Sequence, residues 1–397
     1  MREFYKEKLD NGLTVLFENR DLPLVSSAVA IKRGFGMESI KEKGISHLIE
    51  HLVHQGTKNR NHKEIAHEVE KKGGVINAFT DEEVTAFWNK MPSRHFSTGI
   101  SIVSDLALNP VFEEEFFERE KRVVLEEIKM RKDNPKYYVL EKLKELLYEK
   151  PFGISGTGTL ESVRGIDRED LLEYYNQKYK GSEMFLCVVG DTSMSKVKEF
   201  GEKFPKMEGN GEVIEPVKIN GSEVESREGI AQANLAIGYH TSTLEEKERY
   251  AWDIFNSILG KGMSSRLFEE IREKRGLAYD VRSFLDRGKN YGYGCIYVGT
   301  TKDNVKKCKK LALKEIKKLK DLEKADLEEA KEQVIGLREV GSEESVNVMH
   351  NLIEEEAAGD AKKFYEYEEK IKEVGLKDVQ DLAKLNNYSS IILKPKK

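Results

Sequence analysis

Apolar residues recur at helical spacing through Ile45, Leu48, Ile49, Leu52 and Val53, and Gly56 stands where such a helix stops. Around this stretch the pattern changes to short strand-like runs. An Asn11-Gly12 turn ahead of an apolar run over residues 13–17 predicts a hairpin. Residues 24–31 read as a further strand, followed by the glycine-punctuated loop at Gly34 and Gly36. Residues 62–72 form a second helical pattern, ended by Gly73-Gly74, and residues 75–79 and 84–88 read as paired strands. Helical spacing returns over 96–108, 113–132, 138–148 and 168–178, and a fully apolar strand covers residues 184–189.

The texture then changes. Residues 207–212 and 220–222 are polar and glycine-bearing, as in an interdomain linker. Beyond them the order recurs: strand 233–239, helices 246–259 and 266–274, strands 278–284 and 291–298, helices 301–319 and 326–339, and strand 389–393. The chain is therefore expected to be α+β with two related domains, 1–212 and 227–397, joined by a linker at 213–226. Aligning residues 117–127 with 327–337 sets Ala330 opposite Glu120 and Leu337 opposite Glu127. The helix over 246–259 contains no histidine. The second half is expected to be a relative of the first without its acidic and histidine positions.

Composition narrows the class. Of 397 residues 35% are charged, well above the usual ~25%, but 66 basic and 71 acidic residues nearly cancel. A net charge of -5 gives no case for nucleic-acid binding. The three cysteines, Cys187, Cys295 and Cys308, form no C-x-x-C pair and suggest a reducing compartment. No apolar run reaches membrane-span length and the first residues lack a signal-peptide core, so a cytoplasmic protein without membrane partners is expected.

The first helix also carries chemistry. His47, Glu50 and His51 form H-x-x-E-H. Two histidines four apart share one face, about 6 Å apart along the axis, and can converge on one zinc ion. Glu50 precedes His51 and can set a carboxylate beside the metal. His54 lies about 10 Å from His47 along a straight helix, too far to share an ion with bonds of about 2 Å. A third ligand is sought on the helix over 113–132. Glu120, Val124 and Glu127 fall on one stripe there, while Glu126 is turned about 100° away, alongside Arg122 and Lys129. Glu127 is the better inward acid.

With these residues assembled, the chain resembles the pitrilysin-like metallopeptidases, the inverzincins, and most of all their half-length bacterial members. His47, Glu50 and His51 match the inverted motif. Glu127 matches the distal zinc glutamate, with 75 residues, 52 through 126, between motif and ligand. Glu120 matches the accessory acid seven positions earlier. The stretch containing Asn77, Ala78 and Phe79 resembles the hairpin whose edge binds extended peptide. Arg272 and Tyr279 match the family's Arg/Tyr segment, with its six-residue gap. The chain departs from the pattern at His54, usually apolar or aromatic, and at Phe87, where tyrosine is common.

The resemblance implies two homologous domains, each a mainly antiparallel sheet packed with helices. It implies a zinc endopeptidase with one zinc per chain, held by His47, His51 and Glu127. Glu50 would act as general base and Glu120 would orient the site, while Arg272 and Tyr279 would stabilise the oxyanion or grip the peptide. It further implies a homodimer in which Arg272 and Tyr279 complete the partner's site. The rival expectation is a noncatalytic structural or partner subunit of the same family, which turnover of an unstructured peptide would separate from an enzyme.

Overall fold

The protein is described from a computed structural model, covering residues 3–179, 183–207 and 215–396. Two compact units are present, and each is built around its own sheet.

The first unit contains β1 (Glu3–Lys8), β2 (Thr14–Asn19), β3 (Leu24–Ile31), β4 (Val75–Thr80), β5 (Thr85–Pro92) and β6 (Met184–Gly190), in the order β1-β2-β6-β3-β5-β4. The pairing is antiparallel except between β2 and β6. Gly12 adopts φ 85° in the β1–β2 turn, a left-handed conformation that favours glycine. All seven residues of β6 are buried. This is why its sequence is a continuous apolar run: both faces of the sheet are covered. One face packs on α1 (Ile45–Val53), α2 (His62–Glu70) and α3 (Phe96–Leu108). The other receives Val348, Met349, Leu352 and Ile353 from the helix Ser345–Ala357. Cys187 lies in this second core, where burial pushes its thiol up.

The second unit contains β7 (Ser222–Arg227), β8 (Ala233–His240), β9 (Ala278–Arg287), β10 (Gly292–Thr300) and β11 (Ser389–Pro395), in the order β7-β11-β8-β10-β9. This repeats the first sheet without β1, down to the one parallel pair, β7 with β11. The expected relatedness of the halves appears in this topology.

The units interleave in sequence. The first comprises 1–128, 155–214 and 341–364; the second comprises 129–154, 215–340 and 365–397. The continuous limits 1–212 and 227–397 therefore differ from the packing at two helices. After α4 (Glu114–Asp133), α5 (Pro135–Leu147) packs on β8 and β11 of the second sheet, although its sequence lies in the first half. Gly238 makes room for it: a Cβ there would meet Leu147 Cδ1 at 2.7 Å. The helix Ser345–Ala357 conversely covers the first sheet. The expected linker 213–226 also needs correction. Positions 213 and 214 lie outside the described residues, as do 208–212 of the glycine-bearing stretch, and Ser222–Arg227 is the edge strand β7. Five of its six residues are polar, and even Val224 is exposed, because this edge strand buries neither face fully.

Candidate metal centre

α1 forms because one stripe of it is wholly apolar. Ile45, Leu48, Ile49, Leu52 and Val53 enter the core of the first unit. His47, Glu50 and His51 are left on the other side, where they are only partly covered. The imidazoles of His47 and His51 stand edge to face with centroids 4.8 Å apart. α4 brings the acid. Phe117 and Val124 are buried and hold its inner face, with Glu120 8% exposed beside them. Glu127 is half-buried one turn on, and Glu126 is exposed. Glu127 thus lies on the more covered face of α4 and Glu126 on the exposed one.

His47 Nε2 lies 3.6 Å and His51 Nε2 3.7 Å from Glu127 Oε2. One donor atom from each of the three residues falls within 4.8 Å of the others. The separations from Glu127 exceed ordinary hydrogen bonds. Atoms bound to one zinc at about 2 Å and tetrahedral angles stand about 3.3 Å apart. Two imidazole nitrogens and a carboxylate oxygen are also the donors of open, catalytic zinc sites. Donor chemistry and spacing therefore fit the ion. Among the described residues this is the one histidine–acid group so gathered, and the second unit has none.

The surroundings orient the donors. His51 Nδ1 lies 3.4 Å from Glu120 Oε2, leaving Nε2 toward Glu127. Arg119 Nε donates to Glu120 Oε1 at 3.1 Å. Burial lowers the His51 pKa, but Glu127 and Glu120 outweigh it and the net shift is upward. Glu50 is raised, first by burial, against the Thr80 hydroxyl and His51, which lower it. Thr80 was not among the sequence candidates. Its hydroxyl is buried beside Glu50 without meeting hydrogen-bond geometry. Strand alternation was the available signal, because Thr80 shares the face of Ala78, which packs into the core with α1. His54 stands outside the donor group, its Nδ1 3.3 Å from the Glu50 carbonyl.

Asn77, Ala78 and Phe79 lie on β4, which pairs only with β5 and forms one edge of the sheet. Asn77 is exposed, and its Oδ1 accepts from the Ala78 amide at 2.8 Å. The Phe79 ring turns to the opposite core, 4.4 Å from His350. Only the backbone of Phe79 therefore remains for an incoming strand. Arg272 and Tyr279 belong to the second unit. Arg272 sits in a widened helical turn, where the Lys274 amide donates to Glu269 O, and its guanidinium covers the Phe268 ring at 4.8 Å. Tyr279 is the second residue of β9, is 53% exposed, and lies across Gly299, where a Cβ would meet its ring at 2.7 Å.

Two units of related sheet topology, the first carrying a gathered histidine–acid group, define a two-domain protein with a candidate metal centre. Residues 14–159 match the family model described as Insulinase (Peptidase family M16), and residues 165–334 match Peptidase M16 inactive domain. The chain belongs to the M16 peptidase family, the pitrilysin-like metallopeptidases. It is 32% identical to a Rickettsia bellii protein named "Uncharacterized zinc protease", over 83% of this chain and 82% of that one. It is 28% identical to the Bacillus subtilis "Uncharacterized zinc protease YmxG", over 97% of each. The fold is shared with a protease from Helicobacter pylori, with TM-score 0.92, 22% identity and full coverage of both chains. No helix among the described residues is long and apolar enough to cross a membrane.

Proposed function

We propose that the chain is a zinc-dependent endopeptidase acting on extended peptides or unfolded segments. The observation that carries this reading is the convergence of His47, His51 and Glu127, with Glu50 on the same helix. A bound zinc would supply a cation that polarises the scissile carbonyl and acidifies water. Glu50, raised by burial, takes the proton of the attacking water and delivers it to the leaving amine. Glu120 keeps the His51 ring in its working orientation. The open edge of β4 receives the substrate backbone as an added strand.

Tyr279, helped by Arg272, stabilises the oxyanion or grips the peptide. By resemblance to full-length family members with four such domains, two copies of this two-domain chain form a closed chamber. Each copy then supplies Arg272 and Tyr279 to the other's metal site. The match to the inactive-domain model falls on residues 165–334, which contain none of the three proposed ligands. That match begins within the first half and lies wholly beyond the proposed ligands, so it is compatible with segment 14–159 as the reacting part.

The test measures zinc stoichiometry and hydrolysis of an unstructured peptide before chelation, after it, and after zinc is restored. One zinc per chain with zinc-dependent cleavage supports the reading. Zinc binding without any cleavage supports the noncatalytic alternative.

A further inference from the structure

The N-terminus of the metal helix α1 has no capping side chain of its own. Its N-cap is Gly44, at φ 95°, where a Cβ would meet Val163 Cγ2 at 2.7 Å and the Thr157 carbonyl at 2.8 Å. The orphan amides of a first helical turn still require acceptors when buried. Ile45 N donates to Glu42 O, while the Ser46 amide and the N-cap amide itself find their acceptor in Glu38, six residues before Gly44 and 1% exposed. Gly44 N donates to its Oε2 at 3.0 Å and Ser46 N to its Oε1 at 2.8 Å. Burial pushes the Glu38 carboxyl up to about 7, while the charge of Lys43 and the Ser46 and Gly44 amides pull it down. Lys43 is itself buried, with Nζ donating to Phe35 O at 2.6 Å. A further link runs from Arg33, whose Nε donates to Tyr174 OH at 3.1 Å; that hydroxyl lies 3.4 Å from Ser46 Oγ.

We infer that Glu38 is a positioning residue for the metal, clamping the first turn of α1 with both carboxylate oxygens so that His47 and His51 share one ion with Glu127. This rests on the zinc reading above. Ser46, gripped through its amide, immediately precedes His47. Sliding a helix by one residue moves its side chains 1.5 Å along the axis and turns them 100°, whereas metal bonds tolerate about 0.2 Å. The clamp is a carboxylate because one group must accept from two amides two residues apart. Glutamine in its place keeps one oxygen and turns an NH2 toward the other amide.

The experiment titrates zinc into metal-free wild-type, Glu38→Gln and Glu18→Gln chains at pH 8 by chelator competition, alongside thermal unfolding. Glu18 is a fully buried acid on β2 of the same unit, paired with Arg20. Glu38→Gln should weaken zinc about tenfold, within the range of outer-sphere metal partners. Glu18→Gln should lower the melting temperature with zinc affinity unchanged. Wild-type affinity in Glu38→Gln, or an equal loss in Glu18→Gln, overturns the inference. If Glu38→Gln does not fold, amide exchange in the wild-type chain decides. Binding is reciprocal, so zinc should slow exchange at Gly44 and Ser46 more than in β6; no such difference overturns it. A wild-type chain that binds no zinc rejects the metal reading itself, whereas zinc binding with an indifferent clamp rejects only the role of Glu38.

Discussion

His51 and Glu120 are joined through the imidazole nitrogen opposite the one nearest Glu127: Nδ1 lies 3.4 Å from Glu120 Oε2, and Nε2 3.7 Å from Glu127 Oε2. A ring held at Nδ1 presents Nε2 in a fixed direction and tautomer. Glu120→Gln should therefore lower zinc affinity about 10- to 100-fold while the metal-free chain keeps its fold. Chelator competition and far-UV circular dichroism measure the two. Unchanged zinc affinity would show that the pairing does not tune the ligand.

Glu127→Gln should weaken zinc far more than Glu126→Gln. Glu127 is half-buried and faces both histidines, whereas Glu126 is exposed on the next phase of α4. Metal titration of both variants checks the register. A larger loss at Glu126 would place the ligand one residue earlier.

Acid should weaken the packing behind β4. His350 packs against Phe79 and Trp88, with centroids 4.4 and 5.8 Å away, and burial holds its pKa below 6.5. The folded chain keeps this ring neutral, while the unfolded chain protonates it near 6.5. The stabilisation is thus fully present above pH 6.5 and is lost as pH falls toward the depressed folded value. Urea unfolding of wild type and His350→Phe at pH 7.5 and 5 should show a steeper acid loss in wild type. Parallel losses would remove His350 from the account.

The composite-site proposal predicts complementation. Glu50→Gln chains and Tyr279→Phe chains, each inactive alone, are mixed, and subunit exchange is confirmed by mass spectrometry. If Tyr279 serves the partner's site, a mixed dimer has one site with both defects and one with neither, so activity partly returns. If each chain completes its own site, activity stays low despite exchange.

Periodicity in the sequence pointed to the candidate site. The apolar stripe of α1 and the phase of Glu120, Val124 and Glu127 along α4 both correspond to observed faces. The all-apolar run in β6 likewise announced a strand covered on both sides. β7 carried no such signal, because SEVESR alternates between exposure and partial burial at a sheet edge. The helix Ser345–Ala357 did carry one in Val348, Met349, Leu352 and Ile353, but it was not among the expected elements. Periodicity says that a face is buried without saying against what. The placement of α5 depends on Gly238, nearly a hundred residues away in sequence. Glu38 was hidden for a similar reason: its value lies in reaching the amides of Gly44 and Ser46, and a carboxylate in a loop ordinarily faces water.

In the proposed function, Glu50 is the proton carrier of a zinc peptidase. The most direct test of this role is the turnover of an unstructured peptide by zinc-loaded Glu50→Gln, with zinc content measured on the same sample. Glutamine is nearly isosteric and cannot take the proton, and a general base typically contributes about 100- to 10,000-fold. One zinc per chain, an unchanged fold and a loss of hydrolysis in that range are expected. Near-wild-type turnover by the zinc-loaded variant would contradict this role.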